Sequence, residues 1–466
     1  MRRLVCVGGS DAGIAAALRA RELNPSWDVT VVLADAYPNY SVCGIPFWIS
    51  GEVTDVTSLA HRDRATLEAH GIELLTDTLA RELDMAHHRL VATGPGGGEL
   101  ELAWDRLVIA TGANPVVPRI EGIGELTPAD GVHLLHAMGD ALALSRTLAE
   151  REVRRAVIIG AGYIGLEMTE ALTARGIQVH LLETLPEVLP TVDPELGARV
   201  RAELVAHGVD VRTATPARRI ERAASGLAVI AQGTAGGELV RLDAELVLVV
   251  TGVAPNAELA ARAGIELGVR GAIRVDPAMR TNAPDVLAAG DCVITHHRLA
   301  GETYLPLGTT AHKQGRIAGE NALGGERRFA GSLGTQVLRA FELVAARTGL
   351  RDPEARAVGF DPATVGIQAN DHKAYYPGAE PIALRFSADR ATGRVLGVQM
   401  VGRLQSAIHK RIDVAAVAIA AGVGVEDVND LDLSYTPPLG SPWDPLQEAA
   451  QAWRREWAAS ATSGSA

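Results

Sequence analysis

The sequence predicts an α/β fold with two Rossmann-like dinucleotide-binding domains, and three observations carry that prediction. An apolar run, a glycine turn, an Ala-rich stretch, a second apolar run and a terminal acid occur in that order twice, over residues 2–35 and 154–183. Each copy is followed by alternating segments around a glycine cluster and then a returning apolar run, over 88–118 and 226–256. A further apolar run, within 279–293, ends in Gly290-Asp291. A strand that turns through glycines into a helix is the plan that holds a pyrophosphate at a helix N-terminus.

In that plan the first glycine makes the turn, the second lets backbone approach the phosphate, and the third lets helix pack on strand. The first copy, "GGSDAG", supplies Gly8 and Gly13, with Ser10 where the second glycine belongs and Asp11 and Ala12 opening the helix. Asp35 is its terminal acid, and its returning strand ends at Ala110-Thr111-Gly112. The second copy is complete, with Gly160, Gly162 and Gly165, with Tyr163 and Ile164 between the last two. Glu183 is its terminal acid, and Gly252 closes its returning strand. Alternation around the glycine clusters predicts a two-stranded hairpin in each crossover.

At 466 residues the chain has room for about three domains. An apolar share of 47% and a charged share of 21% predict a well-buried globular protein. The net charge of -12, with no basic stripe, argues against a nucleic-acid partner. The apolar start of "MRRLVCVGGSDAG" is too short for a signal-peptide core. The run "VAAVAIAAGVGV" (414–425) is too short to span a membrane. Three scattered cysteines make neither a disulfide framework nor a metal site, so a soluble cytoplasmic protein with reduced thiols is expected.

Two dinucleotide sites in one chain suggest two nucleotides that exchange electrons. An Asp at the end of a buried strand, here Asp291, can accept hydrogen bonds from a sugar-like polyol, which assigns FAD to the first site. The nicotinamide cofactor then falls to the second. Glu183 would accept from a ribose 2′-hydroxyl and repel a 2′-phosphate, and "TLPEVLP" after it supplies no basic residue. NADH is therefore expected over NADPH.

These motifs, with "YSVCGIPFWISGEV", "TNAPDVLAAGDC", "LPLGTTAHKQGRIAGENALGG" and "SYTPPLGSPWD", resemble the pyridine nucleotide-disulfide oxidoreductases. The likeness is strongest to the single-cysteine branch of coenzyme A disulfide reductases, persulfide reductases, and NADH oxidases and peroxidases. It implies an FAD domain over 1–125 and 270–330, an NAD(P)H domain over 126–269, an α+β homodimerisation domain over 331–450 and a tail over 451–466. It adds Gly308, Thr309 and Ala311 to the FAD residues and places Glu167 at the nicotinamide. His312 and Lys313 are expected to open a helix beside the flavin.

The resemblance makes Cys43 the redox-active residue. No second cysteine follows within Gly44 to Trp48, so Cys43 would pair with an outside sulfur or oxygen. Pro46 suits the first turn of a helix, whose N-terminus is expected to lower the thiol pKa. Tyr435, and Tyr375 or Tyr376, match tyrosines that reach the other subunit's cysteine in coenzyme A disulfide reductases. A small-molecule disulfide or persulfide is the expected substrate. Two departures bear on that. Asp11 stands where oxidases and peroxidases carry a His, and Glu22 follows Arg21 where coenzyme A enzymes carry adjacent basic residues. Two alternatives remain: an NADH oxidase or peroxidase using a Cys43 sulfenic acid, and an electron-transfer flavoprotein or redox sensor in which Cys43 is not catalytic.

Overall fold

Two five-stranded parallel sheets of the same design dominate the chain. The computed structural model describes residues 2–458. The first sheet runs Val286–Ala288, Arg106–Ile109, Arg3–Val7, Asp28–Val32, Ile72–Leu75. The second runs Asp210–Arg212, Gln178–Leu182, Arg155–Ile159, Leu246–Val249, Val132–Leu134. All pairings in both are parallel. The central strands are covered on both faces, which explains why Leu4 to Val7 and Ala156 to Ile159 read as unbroken apolar runs.

The crossovers are larger than the sequence predicts. Each is a three-stranded antiparallel sheet: Leu79–Asp84, Arg89–Thr93 and Glu99–Ala103 in the first, and Ala217–Ala223, Gly226–Gln232 and Leu239–Ala244 in the second. The added strands, "LARELD" and "ARRIERA", are rich in charge and bury only Leu83, Ala217 and Ile220, so they lack the alternation that marks their partners.

On the first sheet, helix Asp11–Leu23 packs against helix Gly308–Ala322. A Cβ added at Gly315 would lie 2.2 Å from the Ala12 carbonyl oxygen, and one at Gly319 at 2.2 Å from that of Ala16. Only glycine permits that approach. The C-terminal unit is an antiparallel sheet of Gln336–Ala340, Leu343–Gly349, Val395–Arg403, Pro381–Asp389 and Pro362–Asn370. Helices Ile408–Ala421 and Pro445–Trp453 pack on it. The latter helix and the turn Arg454–Ala458 carry helical chain past 450, with Trp453 buried, so the expected tail starts later than 451. Its remainder, 459–466, lies outside the described residues.

The short helix Ile45–Ser50 leaves the first unit and buries itself elsewhere. Ile45, Ile49 and Leu59 join a core with Leu166 and Met168 of the second unit and Leu338, Ala340 and Val401 of the C-terminal unit. Burying an Ile side chain is worth about 1.5–3 kcal/mol, so these contacts fix the segment that carries Cys43 against two other units.

Candidate active site

The glycine turns sit where each central strand ends. In the first, Gly8 N–H donates to the Val32 carbonyl, and a Cβ at Gly8 would lie 2.0 Å from the Ala110 oxygen. Gly290 abuts Ala12 and Ala311, and Gly308 abuts the Asp11 carboxylate. The turn thus gathers Gly8 to Gly13, Ala110, Gly290, Asp291, Gly308 and Ala311. Thr111, whose hydroxyl donates to the Asn256 carbonyl, and Gly112, whose carbonyl accepts from Asn256 N–H, face the second unit, and Thr309 follows Gly308. In the second turn, Gly160 N–H donates to the Leu182 carbonyl, and Gly252 accepts from Val116 N–H.

The third glycines are equivalent to a tenth of an ångström: a Cβ at Gly13 would lie 1.9 Å from the Gly8 oxygen, and one at Gly165 at 1.9 Å from that of Gly160. Neither following helix, Asp11–Leu23 or Tyr163–Ala174, has a side-chain cap hydrogen bond. Their first-turn N–H groups are free to meet an anion, and open space faces Gly162. Both turns fit a dinucleotide pyrophosphate.

The terminal acids differ. Asp35 is half-buried and accepts from Tyr37 N–H at 2.9 Å, and burial, with Asp77 nearby, raises its pKa. Glu183 is buried and accepts from Ala161 and Leu185 N–H, each at 2.8 Å. It fastens the glycine turn itself and keeps lone pairs for a further donor.

Cys43 is the exposed cysteine, whereas Cys6 and Cys292 are buried. It lies in the turn Val42–Gly44 that leads into helix Ile45–Ser50, with Pro46 in the first turn as expected. The residue is exposed, and Asp11, Glu167 and Asp291 lie close enough for their charge to reach the thiol. Burial raises its pKa, and Glu167, Asp11 and Asp291 push the same way. The expectation of a lowered thiol pKa is therefore corrected. It considered one short helix terminus and missed three carboxylates brought in from other segments.

Glu167 is itself pushed up to about 7 by burial, with Glu170 adding and Arg339 opposing. Asp291 is pushed up to about 6 by burial and by Asp11. Tyr163, beside Glu167, is raised by burial.

Arg339 had no sequence signal. It pairs with Glu52 and, at 2.8 Å, with Glu170, and lies 5.0 Å over the Phe47 ring. One guanidinium thereby joins the Cys43 helix, the Glu167 helix and the C-terminal sheet. Tyr375 and Tyr435 stand on the exposed face of the C-terminal unit, with Tyr435 close enough to raise the Tyr375 pKa, and exposed Leu439 and Trp443 follow Tyr435 in sequence. Tyr376 packs edge-on to His372. The late basic residues of the first helix are occupied. Arg19 pairs with Glu320 and Glu22, and Arg21 donates to the carbonyls of Pro25, Trp27 and His70.

Comparison with known proteins bears on this architecture. Residues 2–315 match the pyridine nucleotide-disulphide oxidoreductase family model, and residues 339–445 match its dimerisation domain. The chain is 37% identical to the NAD(P)H coenzyme A polysulfide/persulfide reductase of Pyrococcus horikoshii, over 96% of this chain and 97% of that one. It is 32% identical to the NADH oxidase of Methanocaldococcus jannaschii, over 96% and 98%. The solved NAD-dependent persulfide reductase of A. fulgidus superposes with a TM-score of 0.91 at 36% identity, covering 97% of this chain and 83% of that one. With two nucleotide cradles and a dimerisation domain in place, the chain belongs to the pyridine nucleotide-disulphide oxidoreductases and is an FAD-dependent NAD(P)H oxidoreductase.

Proposed function

We propose that the protein uses NADH to reduce a low-molecular-weight disulfide or persulfide through Cys43. The observation that carries this is the placement of Cys43. It is the exposed thiol, in the turn that leads into a helix clamped between the units, within electrostatic reach of Asp11 and Asp291 from the first nucleotide unit and Glu167 from the second. The polysulfide, persulfide and disulfide reductases among its relatives support the same substrate class.

Bound FAD would supply the electron pair, taken as hydride from NADH. Gly8 to Gly13, Asp35, Ala110 to Gly112, Asp291 and Gly308 to Ala311 are proposed to hold it, and Gly160 to Gly165, Glu167, Glu183 and Gly252 the nicotinamide nucleotide. The Cys43 thiolate attacks one sulfur of the substrate, and the other sulfur leaves as a thiolate that takes up a proton. Two electrons then cleave the Cys43 mixed disulfide, releasing the second thiol and restoring the Cys43 thiolate. Two copies pair through the C-terminal unit, and the Tyr375–Tyr435 pair is proposed to reach Cys43 of the partner subunit, where a phenol hydroxyl can protonate the leaving sulfur. Tyr376 flanks that pair. Glu183 favours NADH, since a second negative group beside a buried carboxylate is repelled. Among the described residues no helix is long and apolar enough to cross a membrane.

Replacing Cys43 with Ser tests the reading. Disulfide-dependent NADH consumption is expected to fall by roughly a thousandfold, while reduction of an artificial acceptor that takes electrons directly from the flavin persists. Disulfide turnover retained in Cys43→Ser rejects it. Oxygen or peroxide turnover that exceeds disulfide turnover in the native protein assigns the chain to the oxidases instead.

A further inference from the structure

One cleft of the C-terminal unit, about 650 Å³ in volume, is lined by Gln368, Asn370, Lys373, Tyr375, Ser441 and Glu448. Small-molecule sites span about 300–1,000 Å³. Lys373 and Glu448 bring opposite charges to it, and neither forms an ion pair among the described residues. They sense one another's charge without pairing. The side chains of Gln368, Asn370 and Ser441 likewise make no hydrogen bond to another described residue.

The wall that carries Lys373 is held from behind. It belongs to the loop 371–380, between strands Pro362–Asn370 and Pro381–Asp389. Asp371 is buried, and its carboxylate accepts from Glu380 N–H and Ser406 Oγ, each at 3.0 Å, and meets His372 Nδ1 at 2.8 Å. The Asp371 carbonyl accepts from buried Arg411 at 2.6 Å. Lys373 N–H donates to the Pro437 carbonyl, which ties the loop to the segment that carries Tyr435. Glu448 stands on helix Pro445–Trp453, which packs on the same sheet. Fixed backbone therefore presents both charges, so little ordering is left for a ligand to drive.

An unpaired ammonium and an unpaired carboxylate facing one polar cleft complement a ligand that carries both charges. Burial and Asp444 raise the Glu448 pKa, so a cation brought beside that carboxylate is favoured. An α-amino acid group supplies the matching pair, and Gln368 and Asn370 offer amides to the rest of such a molecule. A phosphate would find Lys373 but be opposed by Glu448. Resting on the reading that Tyr375 meets Cys43 of the partner subunit, we infer that this cleft receives the zwitterionic end of an amino-acid-type disulfide. Its carboxylate lies on Lys373 and its ammonium on Glu448.

The test is kcat/KM of the full-length, flavin-loaded protein for disulfides of graded charge. L-cystine carries both groups, cystamine the ammonium alone, dithiodipropionate the carboxylate alone, and hydroxyethyl disulfide neither. L-cystine is expected to exceed hydroxyethyl disulfide by roughly tenfold. Lys373→Met is expected to lower the ratio of L-cystine to cystamine by roughly tenfold, and Glu448→Gln the ratio of L-cystine to dithiodipropionate by about as much, each through KM more than kcat. Lys373→Arg, which keeps the charge, should keep the ratio. Flavin absorbance and melting temperature report that the variants are folded. A ratio unchanged in either charge-removing variant overturns the inference, as does a native preference for coenzyme A disulfide over L-cystine. In both cases native disulfide turnover leaves the reading through Cys43 standing. A native protein that reduces none of these disulfides overturns that reading, and the inference with it.

Discussion

The two nucleotide units share a turn and differ in everything packed around it. Gly13 and Gly165 make the same close contact with the first glycine of their turns. Beyond that point, the first helix is sealed by Gly308–Ala322 and opens with Asp11, while the second is packed by the Cys43 helix and carries Glu167. The terminal acids diverge too: Asp35 is half-open, whereas Glu183 is buried in its own turn. The glycines supply a generic phosphate cradle, and the neighbouring elements decide what chemistry each cradle serves.

That comparison breaks most sharply at the matching glycines. A Val side chain at Gly13 or Gly165 would place its Cβ 1.9 Å from a backbone oxygen and must displace the helix. Overpacking of this kind costs about 1–3 kcal/mol or more. Gly13→Val is expected to abolish flavin binding, and with it every activity. Gly165→Val is expected to keep the flavin absorbance while NADH-dependent turnover falls roughly a hundredfold. Flavin loss in both variants, or in neither, would show that the units do not divide the cofactors as assigned.

A smaller effect sits where the units meet. Arg339→Ala removes the pairs to Glu52 and Glu170 and the contact over Phe47, leaving the half-buried Glu170 with Phe341 N–H as its recorded partner. Breaking a partly buried pair costs about 2–3 kcal/mol, and the Cys43 helix loses its tie to the Glu167 helix. The kcat for disulfide is expected to fall roughly tenfold, with acceptor reduction changed less than about twofold. An equal loss in both reactions would mean that Arg339 supports the fold as a whole and not the placement of Cys43.

What was legible in the sequence follows from range. The glycine turns, Asp35 and Glu183, and Pro46 in the first turn of its helix are local patterns, and the backbone realises them where they stand. The added crossover strands were not legible, because charge-rich strands with few buried positions carry no alternation. The thiol environment was read in the wrong direction. A helix terminus lies beside Cys43 in sequence, but Asp11, Glu167 and Asp291 reach it only through the fold. The same holds for Lys373 and Glu448, which carry no signal in their own segments and share a cleft only when helix Pro445–Trp453 packs on the C-terminal sheet. Arg339 was missed for the same reason, since its three partners lie in two other units.

The finest contrast between the units is a proton. Burial, reinforced by Glu170, lifts Glu167 from its ordinary 4.5 to about 7, with Arg339 acting against the shift. Between those values the folded protein holds a proton on Glu167 that the unfolded chain has released. The associated stability is therefore complete below about pH 4.5, falls as pH rises through this window, and levels off above about 7. Glu167→Gln removes the titration without removing the side chain's bulk. The variant is expected to melt at least as high as the native protein at pH 8, and its advantage should shrink on lowering the pH toward 5. Melting curves measured across that range check this. A difference that does not change with pH would show that Glu167 ionises as an ordinary surface carboxylate, and that the wall it presents to Cys43 is charged throughout.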